Sequence, residues 1–390
     1  MILRENCGWK ARSVGQKTTR KMILAVATFS IIEALTHFGN ANPFRGSPSL
    51  GFDSPFYIRM LYYLSGRVVE PPVPPFSMRP LIPALALPLS TIIGINNAFG
   101  AVNTILWALA SVAFFKYCLH ATGDSKLALY ASLLFSSSVP VLVYGGAIGT
   151  DMAGYLFLIV GLFLVLRRRR EKKVYVLEGV VIGVGLLCRE TTSILIPLIA
   201  VVRIIRDRLP VKEMLEELLT VSLIAALPVI AWWLTIPNPG YTQFFAENLA
   251  VAFTYAKLEK AVYQIMLTFH VGYAFFLAGF LKENDDKALI ENYLVLGVVA
   301  TYFVTIYFIG ILSSRFVFLA FPALLPVGAK GILSLADNFS KKPVLSKIRR
   351  SHWELILLAA YVLISNIGTA RYNVCFPSLS DAPIRRLLPP

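Results

Sequence analysis

The sequence predicts an all-α protein built as a polytopic transmembrane helical bundle, and three observations support this. The 390 residues are 56% hydrophobic and only 15% charged, whereas a soluble domain has about a quarter of its residues charged. The charge is one-sided, with 37 Lys and Arg against 22 Asp and Glu. Apolar runs of near-membrane length recur along the chain. These observations exclude a soluble globular enzyme and a disordered chain, and they argue against a nucleic-acid partner.

The first apolar run identifies the start of the bundle. Residues 22–38 are apolar and follow six basic residues within positions 1–21. No clean small-residue cleavage site follows, so this run is predicted to be an uncleaved first span with the N-terminus in the cytoplasm. The four cysteines are scattered without a paired spacing, which suggests neither a metal site nor a disulfide framework.

The apolar runs divide the chain into about eleven spans within one transmembrane domain, 1–390, placed as a multi-pass protein in the cell membrane. A span needs about 20 apolar residues. The predicted spans are 22–38, 97–119, 126–144, 151–166, 174–188, 191–205, 216–236, 262–281, 288–311, 316–334 and 353–370.

The segment 79–95 is also apolar, and its placement decides the topology of everything after it. If it does not cross, 26 of the 37 Lys and Arg fall in cytoplasmic segments, as the positive-inside rule expects. If it crosses, the basic run 167–173 lies outside. Three prolines at positions 80, 83 and 88 also favour a broken, re-entrant or interfacial helix. We therefore predict that 79–95 does not cross.

It follows that residues 39–96 form one long external loop that carries interfacial and re-entrant helices. Within it, apolar residues of 55–64 recur at helical spacing, which predicts a helix lying in the membrane interface. A second external loop covers 237–261, and 371–390 forms an external tail.

Acidic residues in or beside the external segments are the first candidates for chemistry. Asp53 stands just before the predicted interfacial helix, and Asp151 opens the fourth span. Each also has an ordinary structural interpretation as a helix N-cap, because Asp is a favoured capping residue. For both residues the two interpretations carry about equal weight.

The pair Arg189-Glu190 forms the tip between two short spans. Each flanking run has about fifteen residues, or roughly 22 Å of helix, against a hydrocarbon core of about 30 Å. The tip is therefore predicted to lie below the membrane surface, where a charge is costly unless it is used or paired. The structural alternative is an ion pair between these two residues. For Glu33 and His37, and separately for His270, the structural interpretation of hydrogen bonds and packing between helices is preferred.

The arrangement of these residues resembles the GT-C superfamily of polytopic glycosyltransferases, which use polyprenyl-phosphate-linked sugars. The resemblance rests on layout: a first span, then a long loop with an early acid in Phe52-Asp53-Ser54-Pro55-Phe56-Tyr57. A Pro-rich entry follows around Arg79, then a second acid in Gly149-Thr150-Asp151, and finally the tip Arg189-Glu190-Thr191.

The resemblance implies roles for these residues. Asp53 would be the catalytic base, and Asp151 would bind the acceptor or a divalent cation such as Mg²⁺ or Mn²⁺. Substrate-binding residues would be Tyr57, Arg79, Arg189, Glu190 and Arg315, with an arginine holding the phosphate. The expected activity is an inverting hexosyl transfer. A polyprenyl-phosphate sugar is the donor, a lipid, glycan or protein is the acceptor, and membrane lipid surrounds the site.

Two other functions stay open at the sequence level. A transporter or flippase predicts matching halves and helices broken at the bilayer midplane. The sequence shows no such halves, and its acids cluster on one side. A non-catalytic membrane assembly subunit would use the lone acids only as caps.

Overall fold

The computed structural model describes residues 16–38, 53–166, 172–236, 254–282, 286–309, 314–343 and 345–372. These ranges are helical throughout apart from turns and short connections, and they contain no strand. The predicted all-α class is therefore confirmed. The helices are α1 Gln16–Phe38, α2 Ser54–Leu64, α3 Leu81–Ile93, α4 Ile95–Thr122, α5 Ser125–Ser136, α6 Val139–Gly145, α7 Asp151–Leu166, α8 Lys172–Leu186, α9 Leu195–Val201, α10 Val211–Trp233, α11 Tyr255–Phe269, α12 Gly272–Leu281, α13 Asp286–Ile309, α14 Ser314–Val317, α15 Phe321–Lys341 and α16 Arg350–Tyr372.

Ten of the eleven predicted spans overlap one of these helices or a broken pair of them, and 191–205 overlaps α9 together with the short helical turns on either side of it. Among the residues that the structure describes, five helices are long and apolar enough to cross a membrane, or up to seven if the bent pairs α5–α6 and α11–α12 each count as one span. These pairs bend by 52° and 73°. The count of eleven therefore stays a prediction. Helix α3 has 13 residues, or roughly 20 Å, which agrees with a segment too short to cross.

The connection between α4 and α5 shows how local sequence sets the helix ends. Gly123 adopts a left-handed conformation with φ of 67°, which is inexpensive only for glycine, and ends α4. Asp124 then caps α5, because its carboxylate accepts hydrogen bonds from the backbone N–H groups of Lys126 and Leu127 at 2.8 and 3.2 Å.

The main core lies around α4, which packs against α1, α5 and α7. Trp107, Phe114, Phe135, Phe318 and Phe321 fill it with buried aromatic rings. Helices α12 and α15 cross closely at two glycines. A Cβ at Gly331 would overlap the carbonyl oxygen of Phe275, and one at Gly279 would overlap that of Val327. Small residues at such crossings let two membrane helices approach.

A second, smaller core lies under α2 and α3. The predicted helix 55–64 is confirmed as α2, and its apolar stripe is buried at Phe56, Tyr57, Met60 and Leu61. The stripe packs against the protein, chiefly α3 and residues 76–78. Residues of α4, of the turn 146–150 and Cys188 complete this core. The first loop is thus fastened to the bundle at the place where the candidate residues lie.

The structural interpretation of the histidines agrees with their contacts. His37 Nε2 lies 2.7 Å from Asn366 Oδ1 on α16, and 3.5 Å from the Glu33 carboxylate one turn earlier. His270 Nε2 lies 2.8 Å from Ser365 Oγ. Both histidines therefore connect separate helices.

A buried charged group, which we call the distal cluster, joins α8, the helical turn Val202–Arg206 and α10. Its members are Glu178, Arg203, Arg206, Asp207 and Glu217. Arg203 lies 3.4 Å from Glu178, 3.0 Å from Asp207 and 2.8 Å from Glu217. The sequence interpretation counted Arg203 and Arg206 as part of the cytoplasmic basic excess, whereas here both guanidinium groups are buried and paired.

Several predicted features lie outside the described residues. They are residues 39–52 of the first loop, residues 237–253 of the second, residues 167–171 of the basic run and the tail from 373 onward.

Candidate active site

Four segments that are distant in sequence meet at one end of α7. They are the start of α2, the turn before α3, the turn 146–150 with the first residue of α7, and the tip between α8 and α9. We call the charged and polar residues there the site cluster, with members Asp53, Tyr57, Arg79, Asp151, Arg189 and Glu190. All six were predicted as site residues, and the structure brings them together.

Arg79 is the most highly connected member. Its Nε donates to Glu190 Oε1 at 3.0 Å and its Nη2 donates to Glu190 Oε2 at 2.8 Å. This is the two-pronged geometry that a guanidinium makes with carboxylate or phosphate. The third nitrogen, Nη1, donates to Tyr57 Oη at 2.9 Å. The side chain of Arg79 is 7% exposed, whereas that of Glu190 is 40% exposed.

Tyr57 connects the two halves of the cluster. Its hydroxyl lies 3.1 Å from Thr150 Oγ1, next to Asp151. Burial raises the pKa of this phenol, Arg79 and Arg189 lower it, and Asp53 and Asp151 raise it. The net direction is upward, so Tyr57 stays protonated and acts as a neutral hydrogen-bonding group.

Asp151 and Arg189 form a second ion pair that is almost closed to solvent. Arg189 Nη1 lies 2.9 Å from Asp151 Oδ1, with side chains only 2% and 4% exposed. The stem of Arg189 runs along α7 at Gly154, where a Cβ would lie 3.0 Å from the Arg189 Cβ. The glycine therefore gives the arginine room to reach Asp151.

Asp53 stands at the N-cap position of α2, but its side chain makes no capping hydrogen bond. Its carbonyl oxygen accepts from the N–H groups of Phe56 and Tyr57. Next to it, Ser54 Oγ donates to the carbonyl oxygen of Ile148, which ties the start of α2 to the turn before Asp151. The capping interpretation therefore does not account for the Asp53 carboxylate, which is buried beside the site.

Aromatic residues hold the segment that carries Arg79. Phe76 stacks on Phe56 with ring centroids 4.2 Å apart, and the Arg79 guanidinium lies 5.6 Å from the Phe76 ring. From the end of α10, Trp232 Nε1 donates to the carbonyl oxygen of Ser77 at 2.8 Å. This frame fixes the backbone immediately before Arg79.

Four contributors were missed at the sequence level: Asn103, Thr150, Gly154 and Tyr302. Asn103 Nδ2 donates to the Ala147 carbonyl at 2.8 Å and so holds the turn before Asp151. Tyr302 Oη donates to the Glu190 carbonyl at 3.4 Å. A buried asparagine inside an apolar span is the one signal that could have indicated such a role, because a polar side chain in that setting needs a partner.

Two predictions about arginines need comment. The structural alternative, an ion pair between Arg189 and Glu190, is wrong, because Arg189 pairs with Asp151 and Glu190 pairs with Arg79. Arg315 lies in α14, but its side chain is outside the described residues. Its neighbour Phe316 does reach the site, with its ring 5.7 Å from the Arg189 guanidinium.

No group of three or more His, Cys, Asp or Glu side chains suited to hold a metal ion occurs among the residues described above. The predicted Mg²⁺ or Mn²⁺ therefore has no ready cage of protein ligands in these ranges.

Comparison with known proteins finds a family match over part of the chain. Residues 78–232 match the family model "Dolichyl-phosphate-mannose-protein mannosyltransferase", about two fifths of the chain. That region includes Arg79, Asp151, Arg189 and Glu190. The search of curated proteins finds no significant match.

Among solved structures, the chain is similar to ArnT from Cupriavidus metallidurans. Against its complex with undecaprenyl phosphate the TM-score is 0.59 at 12% identity, covering 95% of this chain and 80% of that one. Against the apo state the TM-score is 0.56 at 12% identity, with 89% and 75% covered. The chain has the GT-C fold. The predicted resemblance to the polytopic glycosyltransferases of that superfamily is confirmed. Four of the six members of the site cluster lie in the region that the family model matches, whereas Asp53 and Tyr57 precede it.

Proposed function

We propose that this protein is an integral membrane glycosyltransferase that moves a sugar from a polyprenyl phosphate to an acceptor hydroxyl at the site cluster. One observation carries the proposal. Four segments separated by up to 137 positions, from Asp53 to Glu190, place three carboxylates and two arginines together. They do so in the fold of ArnT from Cupriavidus metallidurans, one of whose crystal structures is bound to undecaprenyl phosphate.

The chemistry needs one base and one cationic anchor. The acceptor hydroxyl gives its proton to a carboxylate, for which Asp53 is the candidate, while its oxygen forms a bond to the sugar C1. The C1–O bond to phosphate breaks, and the electron pair leaves with the polyprenyl phosphate. An arginine stabilises the charge of that leaving group. Attack opposite the departing phosphate gives an inverted product.

The buried pair Asp151–Arg189 supports the acceptor side of the site. In this buried ion pair each member holds the other in position next to the proposed reaction. We assign Asp151 to orienting the acceptor through this pair, at the start of α7. The acceptor is a hydroxyl of a lipid, glycan or protein on the external face of the membrane.

The family match and the fold favour this function over transport, which the sequence left as an alternative. A transporter would require two matching arrangements of helices that alternate around a central site. In contrast, the site cluster lies at one end of α7 and draws on the first half of the chain.

Sugar transfer by purified variants tests the proposal. Wild type is given radiolabelled polyprenyl-phosphate sugars together with a membrane-lipid extract as acceptor. We expect Asp53→Asn to reduce the rate by at least about a hundredfold, because the base is removed. Asp151→Asn should reduce it by about tenfold or more.

Asp124→Asn is the matched control. Asparagine caps a helix as well as aspartate does, and Asp124 caps α5 on the far side of the core. Its transfer rate should equal that of wild type. Full activity in both site variants, or no transfer by wild type from any donor in a broad panel, would contradict the proposal.

A further inference from the structure

We propose that Glu190 occupies the phosphate-binding edge of Arg79 and that the donor phosphate displaces it. This inference rests on the proposed function and specifies which arginine holds the phosphate. It begins from a difference between the two ion pairs of the site cluster. In the Arg189–Asp151 pair both side chains are buried. In the other pair Arg79 is buried, whereas the side chain of Glu190 is 40% exposed.

The geometry of the Arg79–Glu190 pair is that of a phosphate complex. Two guanidinium nitrogens, Nε and Nη2, donate to the two carboxylate oxygens at 3.0 and 2.8 Å. The same edge of an arginine makes the same pair of bonds to phosphate oxygens. A phosphate entering where the Glu190 carboxylate lies would find this edge already oriented.

Arg79 keeps its position when Glu190 leaves. Its remaining nitrogen, Nη1, is bonded to the buried hydroxyl of Tyr57, which contacts Thr150. The Phe76 ring lies against the guanidinium. The bond to Tyr57 uses a nitrogen that Glu190 does not occupy, so the exchange needs no movement of the arginine.

Only the side chain of Glu190 has to move. Its backbone is held by Tyr302, whose hydroxyl donates to the Glu190 carbonyl oxygen. The turn that follows is closed by the hydrogen bond from Thr192 N–H to the Arg189 carbonyl oxygen at 3.2 Å. Because the carboxylate is partly exposed, it can rotate into solvent at small cost.

Arg189 is a poorer candidate for the phosphate. A phosphate binding there would have to displace Asp151, whose side chain is 4% exposed, and would leave a buried carboxylate without its cation. Such a loss is far more costly than opening a half-exposed pair. Both arginines carry the same charge. What makes Arg79 the better phosphate site is that its carboxylate partner is exposed, whereas the partner of Arg189 is buried.

Binding of undecaprenyl phosphate to the purified full chain tests the exchange, with uncharged undecaprenol as the reference ligand. We expect Glu190→Gln to tighten undecaprenyl phosphate binding by about twofold to fivefold, the range for losing one partly exposed ion pair. Undecaprenol binding should not change. Arg79→Gln should weaken the phosphate lipid toward the undecaprenol value. A gain in affinity cannot come from partial unfolding.

Glu213→Gln is the control for net charge, because it removes one exposed carboxylate from α10, away from the site cluster. It should leave both affinities unchanged. Unchanged or weaker phosphate binding in Glu190→Gln would overturn the exchange, and so would a gain seen with Asp151→Asn instead. Suppose that Glu190→Gln does not tighten binding, but wild type transfers sugar and Arg79→Gln abolishes phosphate binding. The proposed function then stands, and only the displacement of Glu190 by the phosphate is wrong. No transfer by wild type would remove the proposed function itself.

Discussion

The site cluster and the distal cluster contain the same charged residues in number and type: two arginines and three carboxylates. They lie toward opposite ends of α7. Asp151 is its first residue, whereas Arg203 donates to the carbonyl oxygen of Val165 near its last turn. With 16 residues in α7, the two ends are roughly 24 Å apart. Charge composition alone therefore does not distinguish the proposed reactive site from a structural cluster.

The two clusters differ in how their charged side chains are paired and in how far these side chains are exposed to solvent. In the distal cluster one arginine, Arg203, bonds to three carboxylates, and the side chains of Glu178 and Glu217 are 0% and 1% exposed. In the site cluster each arginine has its own carboxylate partner, and Glu190 opens to solvent. Neutral groups, Tyr57 and Thr150, connect the two pairs. An open partner and a neutral connector are what a ligand site requires and a structural cluster does not.

The largest expected effect is on the distal cluster. Arg203→Met leaves buried carboxylates without their shared cation, so we expect a loss of about 3–5 kcal/mol in the free energy of unfolding. Thermal denaturation in detergent measures it. Lys212→Met, at an exposed position on α10, is the control and should denature like wild type.

The same variant also sharpens the comparison. Arg203→Met protein that remains folded should keep the transfer rate and the undecaprenyl phosphate affinity of wild type. A stable Arg203→Met protein without transfer activity would mean that the distal cluster takes part in function and that the distinction drawn above is wrong.

An intermediate effect is expected at the neutral connector. Tyr57→Phe removes the hydroxyl that bonds Arg79 and contacts Thr150, at a cost of about 1–2 kcal/mol. We expect about tenfold weaker binding of undecaprenyl phosphate with little change in melting temperature. Tyr63→Phe, on the same helix, is the control because its hydroxyl is exposed and bonds Thr235 instead. Equal effects of the two substitutions would contradict the role given to Tyr57.

The smallest expected effect concerns pH. Burial would raise the pKa of Asp207, but hydrogen bonds and charge from Arg206 and Arg203 outweigh it and hold the pKa below its usual range. The ionised Asp207 carboxylate, paired with these two arginines, therefore stabilises the fold above about pH 4, which is the pKa of an aspartate in the unfolded chain. This contribution is lost as the pH falls through the lowered folded value.

Comparing Asp207→Asn with wild type isolates that contribution. Between pH 7 and about 3.5, the melting temperature of wild type should fall more steeply than that of Asp207→Asn. Parallel curves would show that the Asp207 carboxylate adds nothing to the stability of the distal cluster.

Much of this architecture was predictable because long apolar runs and helix-breaking residues are local signals. Helix α2 followed from apolar spacing, and the site residues followed from the cost of placing charge next to a membrane. The pairings did not follow, because contacts such as Arg79 with Glu190 join positions 111 residues apart. The distal cluster was missed since Arg203 and Arg206 resemble ordinary cytoplasmic charges when only the sequence is considered. Gly154 carried no signal, because its role depends on which side chain crosses it.

The hydrogen bond from Arg79 to Tyr57 has a consequence for proton positions. A guanidinium has only donors, so the Tyr57 oxygen must accept from Arg79. The phenolic hydrogen of this buried residue is then available for Thr150, the oxygen 3.1 Å away. Arg79 thus orients the Tyr57 hydroxyl, whose oxygen faces the guanidinium and whose hydrogen is left for the threonine that precedes Asp151.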